Sequence, residues 1–460
     1  MIAEYNNNIR AIAEIVNGKL SGSETLQINA VTTDSRMAKG KCLFIPIKGE
    51  KFDGHDFIEK LCSEKKIAAF LTEKKELTKI TDKYKIPSII CDSTLQALGA
   101  LAGDFRSKFK LPIIGITGTN GKTTTKELLH CAMSANFKVF KNEKNFNNEI
   151  GVPFSLLGLT DDYNCGIIEM GMNHAGEISR LTNIVKPDCS IITNVGEGHL
   201  EFLETVEKVA EAKSEIYESM SRGSLVFLNR DSACLEIMKR NADKRNLNIL
   251  YYGLDRYADY YPEKYTLLPD KIIIKYKDED ITVPIYGLHN VYNIMACIAV
   301  ADYYKVSLKK IKKALLSFVN IDNRNEVIHK DDYTIINDTY NSNPLSLKSA
   351  LVSLDEIYPD NRKIAVLSDM KELGEKESEY HFDAGETVYR KTDALFTWGK
   401  LAEKISEGAV YSGMEENTVF HFSDKKDLIK ALKKYIKSGD AILVKGSRSM
   451  KMEEVADSIR

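Results

Sequence analysis

The alternation of apolar and polar positions divides the chain into three stretches. Residues 1 to about 108 mix short apolar strands, such as those at 42–47 and 88–90, with helical patterns that end in an amphipathic run over 93–109. The charged end of this run is followed by Pro112, and a proline disfavours helix in the residue before it. The pattern therefore predicts a small α/β domain over residues 1–108.

Strand and helix patterns alternate regularly over residues 109–321. This alternation predicts a parallel sheet with helices on both faces. Residues 248–286 are instead rich in tyrosine and alternate in hydrophobicity, so we predict a small antiparallel sheet there, followed by a long helix. The buried strand candidates of the parallel sheet lie at 111–116, 163–171, 189–195 and 224–229.

A further α/β alternation runs over residues 322–460 and fits one doubly wound, Rossmann-like domain. The length of the chain agrees with this division, because 460 residues at a prior of ~150 residues per domain predict about three domains. We therefore predict an α/β fold with three domains, at 1–108, 109–321 and 322–460.

Composition and charge exclude several classes of protein. Hydrophobic residues make up 43% of the chain and charged residues 28%, which is typical of a globular protein and argues against disorder or fibrous repeats. The 64 Lys and Arg residues against 66 Asp and Glu residues give a net charge of −2, so no global basic field could hold nucleic acid or an acidic membrane. A phosphate-rich ligand would therefore require a local site.

The amino terminus and the cysteines predict a cytoplasmic protein. The first ten residues lack a basic stretch followed by an apolar core, and no apolar window of ~18 residues suggests membrane insertion. The 8 cysteines form no C-x-x-C pair and several lie in apolar runs, which favours reduced, buried thiols over a metal or disulfide role.

A glycine-rich turn within residues 115–129 joins an apolar strand to a helix. Glycine amides can approach a polyphosphate, Lys122 supplies a positive charge, and Thr123 offers a hydroxyl to Mg²⁺ at a helix amino terminus. The pattern G-x-x-x-x-G-K-[ST] would have glycine where this chain has Ile116, so the match is to a variant loop, and an ordinary glycine turn is the alternative. The predicted ligands of the nucleotide are Gly118, Thr119, Asn120, Gly121, Lys122, Thr123 and Thr124.

The loop sequence TGTNGKTTTKE (117–127) resembles that of the Mur ligase family, the ATP-dependent amide-forming enzymes of peptidoglycan precursor synthesis. Folylpolyglutamate synthases are similar but typically carry GTNGKGS, and Thr123 departs from that sequence. Cyanophycin synthetases share the loop within a much longer chain. The loop therefore resembles that of the Mur ligases most.

Two residues at the ends of strand candidates could bind metal. Glu169 and His199 lie where open α/β sheets bind ligands, although each alone could be a solvated or structural residue. Together with residues 193–216 they resemble the Mur ligase pattern in which Glu169 and His199 bind two Mg²⁺ ions. In that pattern Lys213 is carbamoylated and holds the second ion. Without the resemblance, Lys213 would be interpreted as a solvated lysine on a helix face.

The resemblance also assigns polar residues to the nucleotide-linked substrate and to ATP. Asn290 and Asn293 resemble residues that reach the ATP base, with a helix cap and a polar face as the alternative. Residues 31–58 resemble the uridine-nucleotide-binding domain of the family. The implied ligands of the UDP-linked substrate are Ser35, Arg36, Lys48, Asp53 and His55, together with Asn145, Asn147 and Asn148 from a polar loop.

The third domain resembles the family member that binds a dipeptide. Arg324 lies in a segment that joins the second and third domains, where it would reach the γ-phosphate as the domains close. Residues 338–351 match the pattern D-x-Y-N-x-N-P, and the diaminopimelate motif D-N-P-R of the tripeptide-forming member is absent. The implied ligands are Asp338 for the cofactor and Tyr340, Asn341, Asn343, Asp369, Met370 and Glu372 for the dipeptide.

The resemblance covers essentially the whole chain. It implies an ATP- and Mg²⁺-dependent ligase that joins D-alanyl-D-alanine to UDP-N-acetylmuramoyl-tripeptide through an acyl phosphate. It also implies small-molecule partners and a monomer whose domains close on one another, while lysine and diaminopimelate both fit as the third peptide residue. The implied catalytic residues are Lys122, Lys213, His199 and Arg324.

Two other functions can be distinguished from this one. A ligase of the folylpolyglutamate type is disfavoured by Thr123 and by the first domain. A non-catalytic, nucleotide-gated binding module would require that Glu169, His199 and Lys213 are not clustered.

Overall fold

A computed structural model describes residues 2–49, 51–319, 326–330 and 332–460. It contains three six-stranded sheets and one three-stranded sheet, all flanked by helices. The predicted α/β class is confirmed, with a parallel central sheet, a small antiparallel sheet and a mixed sheet near the carboxyl terminus. No helix in the described ranges is long and apolar enough to cross a membrane.

The first sheet has the strand order β1-β3-β4-β5-β6-β2, with β3 to β6 parallel and β1 and β2 antiparallel at the edges. Its strands are β1 Ile2–Asn8, β2 Lys19–Ser21, β3 Gln27–Thr32, β4 Cys42–Phe44, β5 Ala69–Thr72 and β6 Ser88–Ile90. Its helices are α1 Ile9–Ile15, α2 Ile58–Ser63, α3 Lys79–Tyr84 and α4 Thr94–Ser107.

The central sheet has the order β12-β11-β10-β7-β9-β8, and all its strands are parallel. Its strands are β7 Ile113–Thr117, β8 Val139–Lys141, β9 Cys165–Glu169, β10 Cys189–Ile192, β11 Leu225–Asn229 and β12 Asn248–Tyr252. The surrounding helices are α5 Lys122–Met133, α6 Gly151–Leu156, α7 Glu177–Val185, α8 Leu200–Leu203, α9 Val206–Ser214, α10 Leu235–Lys244, α11 His289–Tyr303 and α12 Leu308–Leu316.

The small antiparallel sheet is formed by β13 Lys264–Leu267, β14 Ile272–Tyr276 and β15 Glu279–Val283. The prediction that residues 248–252 belong to it is wrong, because they form β12 and pair in parallel with β11. β12 is an edge strand with partly exposed side chains, so its hydrophobic alternation resembles that of an antiparallel strand.

The third large sheet has the order β16-β17-β21-β18-β19-β20, in which β16 alone is antiparallel to its neighbour within the described residues. Its strands are β16 Glu326–His329, β17 Thr334–Asp338, β18 Lys363–Ser368, β19 Ala394–Trp398, β20 Val419–Phe422 and β21 Ala441–Lys445. Its helices are α13 Pro344–Ile357, α14 Glu377–Lys391, α15 Ala402–Tyr411, α16 Lys425–Tyr435 and α17 Glu453–Ser458.

The sheets are held together by packing between neighbouring regions. Helix α4 packs against α6 and α7, and one hydrophobic cluster includes residues of the first and the central sheets. We call the part of the chain from β1 to α4 the first region, the part from β7 to α12 the central or second region, and the part from β16 to α17 the third region. Polar contacts join the central and third regions, such as the Leu288 N–H that donates to Ser353 Oγ at 2.9 Å. The domain boundaries at 108 and 321 stay predictions, and the second lies outside the described residues.

Candidate active site

The phosphate loop connects the carboxyl end of β7 to the amino end of α5. Gly118 and Gly121 have φ angles of 147° and 79°, which disfavour residues with a side chain. A β-carbon at 118 would overlap Thr193, and one at 121 would overlap Asn293. Both glycines are therefore required by the backbone and by their close neighbours.

Residues that follow β10 hold this loop in place. The Thr119 N–H donates to the Asn194 carbonyl at 2.9 Å, and the Asn120 N–H donates to Asn194 Oδ1 at 2.8 Å. Lys122 Nζ donates to the carbonyl oxygens of Gly118 (2.8 Å) and Thr119 (3.1 Å). The lysine charge thus lies over the loop at the amino end of α5, where a helix already favours anions.

A cavity of about 340 Å³ lies between this loop and the third region of the chain. The sequence predicted many residues that line it but missed others. The predicted ones are Thr119, Asn120, Gly121, Lys122, Thr123, Asn145, Asn147, Asn148, Glu169, His199, Tyr340, Asn341, Asn343 and Glu372. The missed ones are Gly171, Met172, Asn173, Glu177, Gly198, Ser342 and Lys371.

Glu169, the last residue of β9, presents a buried carboxylate to the cavity. Its Oε1 accepts from Asn147 Nδ2 at 2.7 Å, whereas its Oε2 has no hydrogen-bond partner in the described ranges. Lys126 Nζ lies 3.7 Å from that oxygen. Because Oε2 forms an ion pair with Lys126 but accepts no hydrogen bond from any described residue, this buried carboxylate still suits a bound cation.

Lys126, which the sequence did not single out, is fully buried beside Glu169. Its Nζ donates to the carbonyl oxygens of Asn142 (2.7 Å) and Lys144 (3.0 Å). The Asn142 side chain in turn accepts from the Glu169 N–H and donates to the Glu169 carbonyl, both at 2.9 Å. Lys126 and Asn142 therefore fix the end of β9 relative to the polar loop.

His199 and Glu372 meet across the cavity from the central and third regions. His199 Nδ1 lies 2.8 Å from Glu372 Oε2, although the angle is poor for a hydrogen bond. Both residues have left-handed backbones, with φ angles of 59° and 65°. Burial lowers the pKa of His199, while the contact with His199 lowers the pKa of Glu372. A neutral imidazole is the form that binds metal.

Lys213 lies on α9 and is only 1% exposed, so it is not the solvated face lysine of the alternative interpretation. It does not line the cavity. Burial, aided by the charge of Lys122, holds the pKa of Lys213 well below its usual range. After burial, the charge of Lys213 is one of the factors that lower the pKa of His199.

The described residues contain no group of three or more His, Cys, Asp or Glu side chains arranged to hold a metal ion. The cavity instead brings together the carboxylate of Glu169, the imidazole of His199 and the hydroxyl of Thr123. These are suitable ligands for a divalent cation.

Asn290 and Asn293, the residues predicted to reach the ATP base, are hydrogen-bonded to each other, and Asn293 also contacts α5 just after the phosphate loop. Asn293 Oδ1 accepts from Thr125 Oγ1 at 3.2 Å, and its Nδ2 donates to Asn290 Oδ1 at 2.8 Å. Asn290 Nδ2 donates to the Tyr286 carbonyl at 2.7 Å. Both asparagines are buried, and Thr124, which is also buried, does not line the cavity either. A contact of Asn290 or Asn293 with the base stays a prediction.

Three predicted ligands in the third region have other partners. Asp338 accepts from the buried Lys445 Nζ at 2.5 Å. Asp369 Oδ1 accepts from the N–H groups of Leu401 (3.0 Å) and Ala402 (2.9 Å) at the start of α15. The Met370 side chain is fully buried in the hydrophobic core. None of the three lines the cavity, and Arg324 lies outside the described residues.

The residues predicted to bind the UDP-linked substrate in the first region lie away from the cavity. The Arg36 guanidinium donates two hydrogen bonds to the Asp34 carboxylate, at 2.9 and 2.7 Å, and the Arg36 side chain is exposed, while Ser35 beside it is partly exposed. Asp53 accepts from the N–H of the buried His55 at 2.9 Å. Lys48 is exposed. Their role toward a nucleotide stays a prediction.

Comparison with known proteins shows similarity along the whole chain. Three family models match it: "Mur ligase family, catalytic domain" over residues 27–106, "Mur ligase middle domain" over 116–301 and "Mur ligase, glutamate ligase domain" over 323–448. The UDP-N-acetylmuramoyl-tripeptide–D-alanyl-D-alanine ligase of Bacillus subtilis is 35% identical, and the alignment covers 98% of each chain.

Solved structures show the same fold. A crystal structure of MurF from Acinetobacter baumannii has a TM-score of 0.89 and 26% identity, covering 99% of both chains. The MurF ligase of Thermotoga maritima in complex with ADP has a TM-score of 0.82 and 27% identity, covering 93% of this chain and 96% of that one.

Proposed function

This chain belongs to the Mur ligase family, and from that premise we propose how its residues carry out the reaction. The chain is an ATP-dependent ligase that adds D-alanyl-D-alanine to UDP-N-acetylmuramoyl-tripeptide in peptidoglycan synthesis. The observation that carries this function is the cavity, in which the phosphate loop, Glu169 and His199 face the segment Tyr340 to Asn343.

The reaction requires a carboxylate oxygen to become a leaving group. An oxygen of the tripeptide carboxylate attacks the γ-phosphorus of ATP, the bond from that phosphorus to the β-phosphate oxygen breaks, and ADP leaves. The amine of D-alanyl-D-alanine, after losing a proton, attacks the acyl carbon, and phosphate leaves as the amide forms. Lys122 neutralises negative charge on the phosphates during the first step, because its ammonium lies over the phosphate loop.

Two Mg²⁺ ions would be held by Thr123, Glu169, His199 and a carbamoylated Lys213. Magnesium supplies the positive charge that lets two anions approach each other. The carboxylate of Glu169 supports this assignment, since the residue is buried, lines the cavity and has an Oε2 that accepts no hydrogen bond in the described ranges. The burial of Lys213 and its lowered pKa support carbamoylation, which needs a neutral amine and would give an anion that a metal ion can pair with.

The substrates would approach the cavity from different regions of the chain. We assign the UDP-sugar to the first region, the nucleotide to the phosphate loop with Asn290, Asn293 and Asp338 behind it, and the dipeptide to the third region. Asn147 could connect the substrate peptide to the metal site, because it lines the cavity and binds Glu169. Arg324 would reach the γ-phosphate from the segment between the second and third regions.

The protein would act in the cytoplasm as a monomer. All 8 cysteines are free thiols, which fits a reducing compartment.

Phosphate release from ATP tests this function. The purified protein is given ATP, Mg²⁺ and UDP-N-acetylmuramoyl-tripeptide, followed by D-alanyl-D-alanine, glutamate or buffer. Release that depends on D-alanyl-D-alanine is expected, and Lys122→Ala should abolish it, whereas Lys110→Ala at an exposed position should not. Release that depends on glutamate would instead identify a folylpolyglutamate-type ligase, and no release from the folded protein would identify a binding module.

A further inference from the structure

Two asparagine side chains join the phosphate loop to the third region of the chain. Asn120 Nδ2 donates to Asn343 Oδ1 at 3.1 Å, and Asn343 Nδ2 donates to Asn120 Oδ1 at 3.0 Å. The two residues are 223 positions apart in the sequence. Each amide uses one donor and one acceptor on the other, so the pair forms in one relative orientation of the two regions.

Both asparagines are fixed by their own surroundings. The Asn120 N–H donates to Asn194 Oδ1, and the Asn120 carbonyl accepts from Thr193 Oγ1 at 2.6 Å. Asn343 caps α13, because its Oδ1 also accepts from the Ser346 N–H at 2.8 Å and its N–H donates to Ser346 Oγ at 3.0 Å. The two amides can therefore pair only when the start of α13 lies against the phosphate loop.

The contact next to this pair is also tight. Leu345, in the first turn of α13, packs against Gly196, where a β-carbon would lie 2.6 Å from Leu345 Cδ2. The start of α13 therefore lies in close contact with the segment that follows β10, next to the phosphate loop. Tyr340 and Asn341, which precede the asparagine cap, line the same cavity.

We propose that Asn120 and Asn343 are positioning residues whose paired amides hold the Tyr340–Asn343 segment, and with it the dipeptide, against the phosphate loop during the reaction. The proposal rests on the proposed function, because it concerns the delivery of the second substrate. A neutral pair suits this role, since it adds no charge beside the phosphates. Neutral hydrogen bonds also have a modest net strength, so the regions can separate for product release.

Two substitutions separate the effect of the amide pair from that of the helix cap. Asn343→Ser keeps a capping side chain but is too short to reach Asn120. Ser346→Ala removes the hydroxyl that accepts from the Asn343 N–H and leaves both asparagine side chains in place. We expect Asn343→Ser to lower kcat/KM for the dipeptide by about tenfold, as expected for about 1.4 kcal/mol. Ser346→Ala, which leaves the amide pair intact, should stay within about threefold of the unmodified protein.

A double-mutant cycle measures the contribution of the interaction between Asn120 and Asn343. Asn120→Ala combined with Asn343→Ser should be no slower than the slower single variant, because either change alone removes the whole pair. The affinity for ADP of Asn343→Ser should equal that of the unmodified protein, since the phosphate loop is intact. Penalties that simply add in the double variant, or an equal loss in Ser346→Ala and Asn343→Ser, would overturn the proposal.

Small-angle X-ray scattering with saturating ADP provides a readout that does not depend on turnover. The double variant should have a larger radius of gyration than the unmodified protein, and unchanged scattering would overturn the proposal. If the unmodified protein shows no turnover that depends on D-alanyl-D-alanine, the proposed function fails, but the scattering comparison still tests the paired amides.

Discussion

Buried charged side chains beside the phosphate loop decide what the site can do. Lys126 and Lys213 are both almost fully buried, but their surroundings differ. Lys126 has two carbonyl acceptors and the carboxylate of Glu169 nearby, so its charge is compensated. Burial, aided by the charge of Lys122, instead lowers the pKa of Lys213. A buried lysine whose charge is paired stabilises the fold, whereas a buried lysine with a lowered pKa can be chemically modified.

Replacing Lys213 by alanine should abolish ligation. We expect Lys213→Ala to lower kcat by at least about a hundredfold, since even residues outside the first ligand sphere of a metal contribute ~10–100-fold. Added bicarbonate or a short carboxylic acid should restore part of the rate by supplying the missing oxygen ligand. Phosphate release measures both effects.

Lys208 provides the matched control, because it lies on the same helix and is exposed. Lys208→Ala should keep full activity and show no response to carboxylic acids. A fully active Lys213→Ala variant would contradict the assignment of Lys213.

Removing the charge of Lys126 should destabilise the protein. Lys126→Met leaves the carbonyl oxygens of Asn142 and Lys144 without their donor and Glu169 without its counter-charge. We expect the free energy of unfolding to fall by about 3 kcal/mol, as for a broken buried ion pair. Lys138→Met, at an exposed position, should change it by less than about 0.5 kcal/mol. Equal values for the two variants in urea unfolding would show that Lys126 is not structural.

The sequence predicted Glu169 and His199 because each follows a strand whose end could be recognised, and both line the cavity. It missed Lys126, which is buried although the TTTKE segment gives no sign that this lysine points inward. It missed Lys371 and Glu177 because contacts between distant segments are not encoded in local spacing. Met370 lies in the predicted dipeptide motif, but its side chain packs in the core.

Helices α14 and α15 approach each other closely through glycine. A β-carbon at Gly408 would overlap the Phe382 carbonyl, and one at Gly385 would overlap the backbone of Ala409. Alanine would otherwise favour a helix over glycine by ~1 kcal/mol. The glycines are therefore kept by packing between the two helices and not by helix propensity.

Replacing Gly408 by alanine should separate these helices. We expect Gly408→Ala to lower the free energy of unfolding by about 2 kcal/mol, because overpacking of a rigid backbone contact outweighs the gain in propensity. Gly103→Ala in α4 is the control, since its β-carbon would lie 3.8 Å from the nearest atom. That variant should be neutral or stabilised in urea unfolding. A stable Gly408→Ala variant would show that the helices can move apart at little cost.

Strong patterns predicted the central elements, whereas edge strands were predicted less well. β7, β9, β10 and β11 are buried apolar runs and were found from the sequence. β8 has only three residues, and β12 is partly exposed, so each lacks the continuous apolar run of a central strand. The position of an edge strand depends on its neighbour in the sheet, which local sequence does not specify.

At the scale of the whole molecule, a chain with a net charge of −2 handles several anionic ligands through local cations. Lys122 lies over the phosphate loop and Lys371 lines the same cavity from the third region. The site therefore depends on bringing distant regions together, as His199 and Glu372 do across the cavity. Near-zero net charge is thus compatible with phosphate chemistry.

The fate of the carboxylate oxygen tests the central claim most directly. UDP-N-acetylmuramoyl-tripeptide labelled with ¹⁸O in its terminal carboxylate is incubated with ATP, Mg²⁺ and D-alanyl-D-alanine, and the products are analysed by mass spectrometry. The account predicts equal amounts of phosphate and UDP-N-acetylmuramoyl-pentapeptide, with one ¹⁸O atom transferred to each phosphate. Phosphate without the label, or phosphate formed without the pentapeptide, would contradict it.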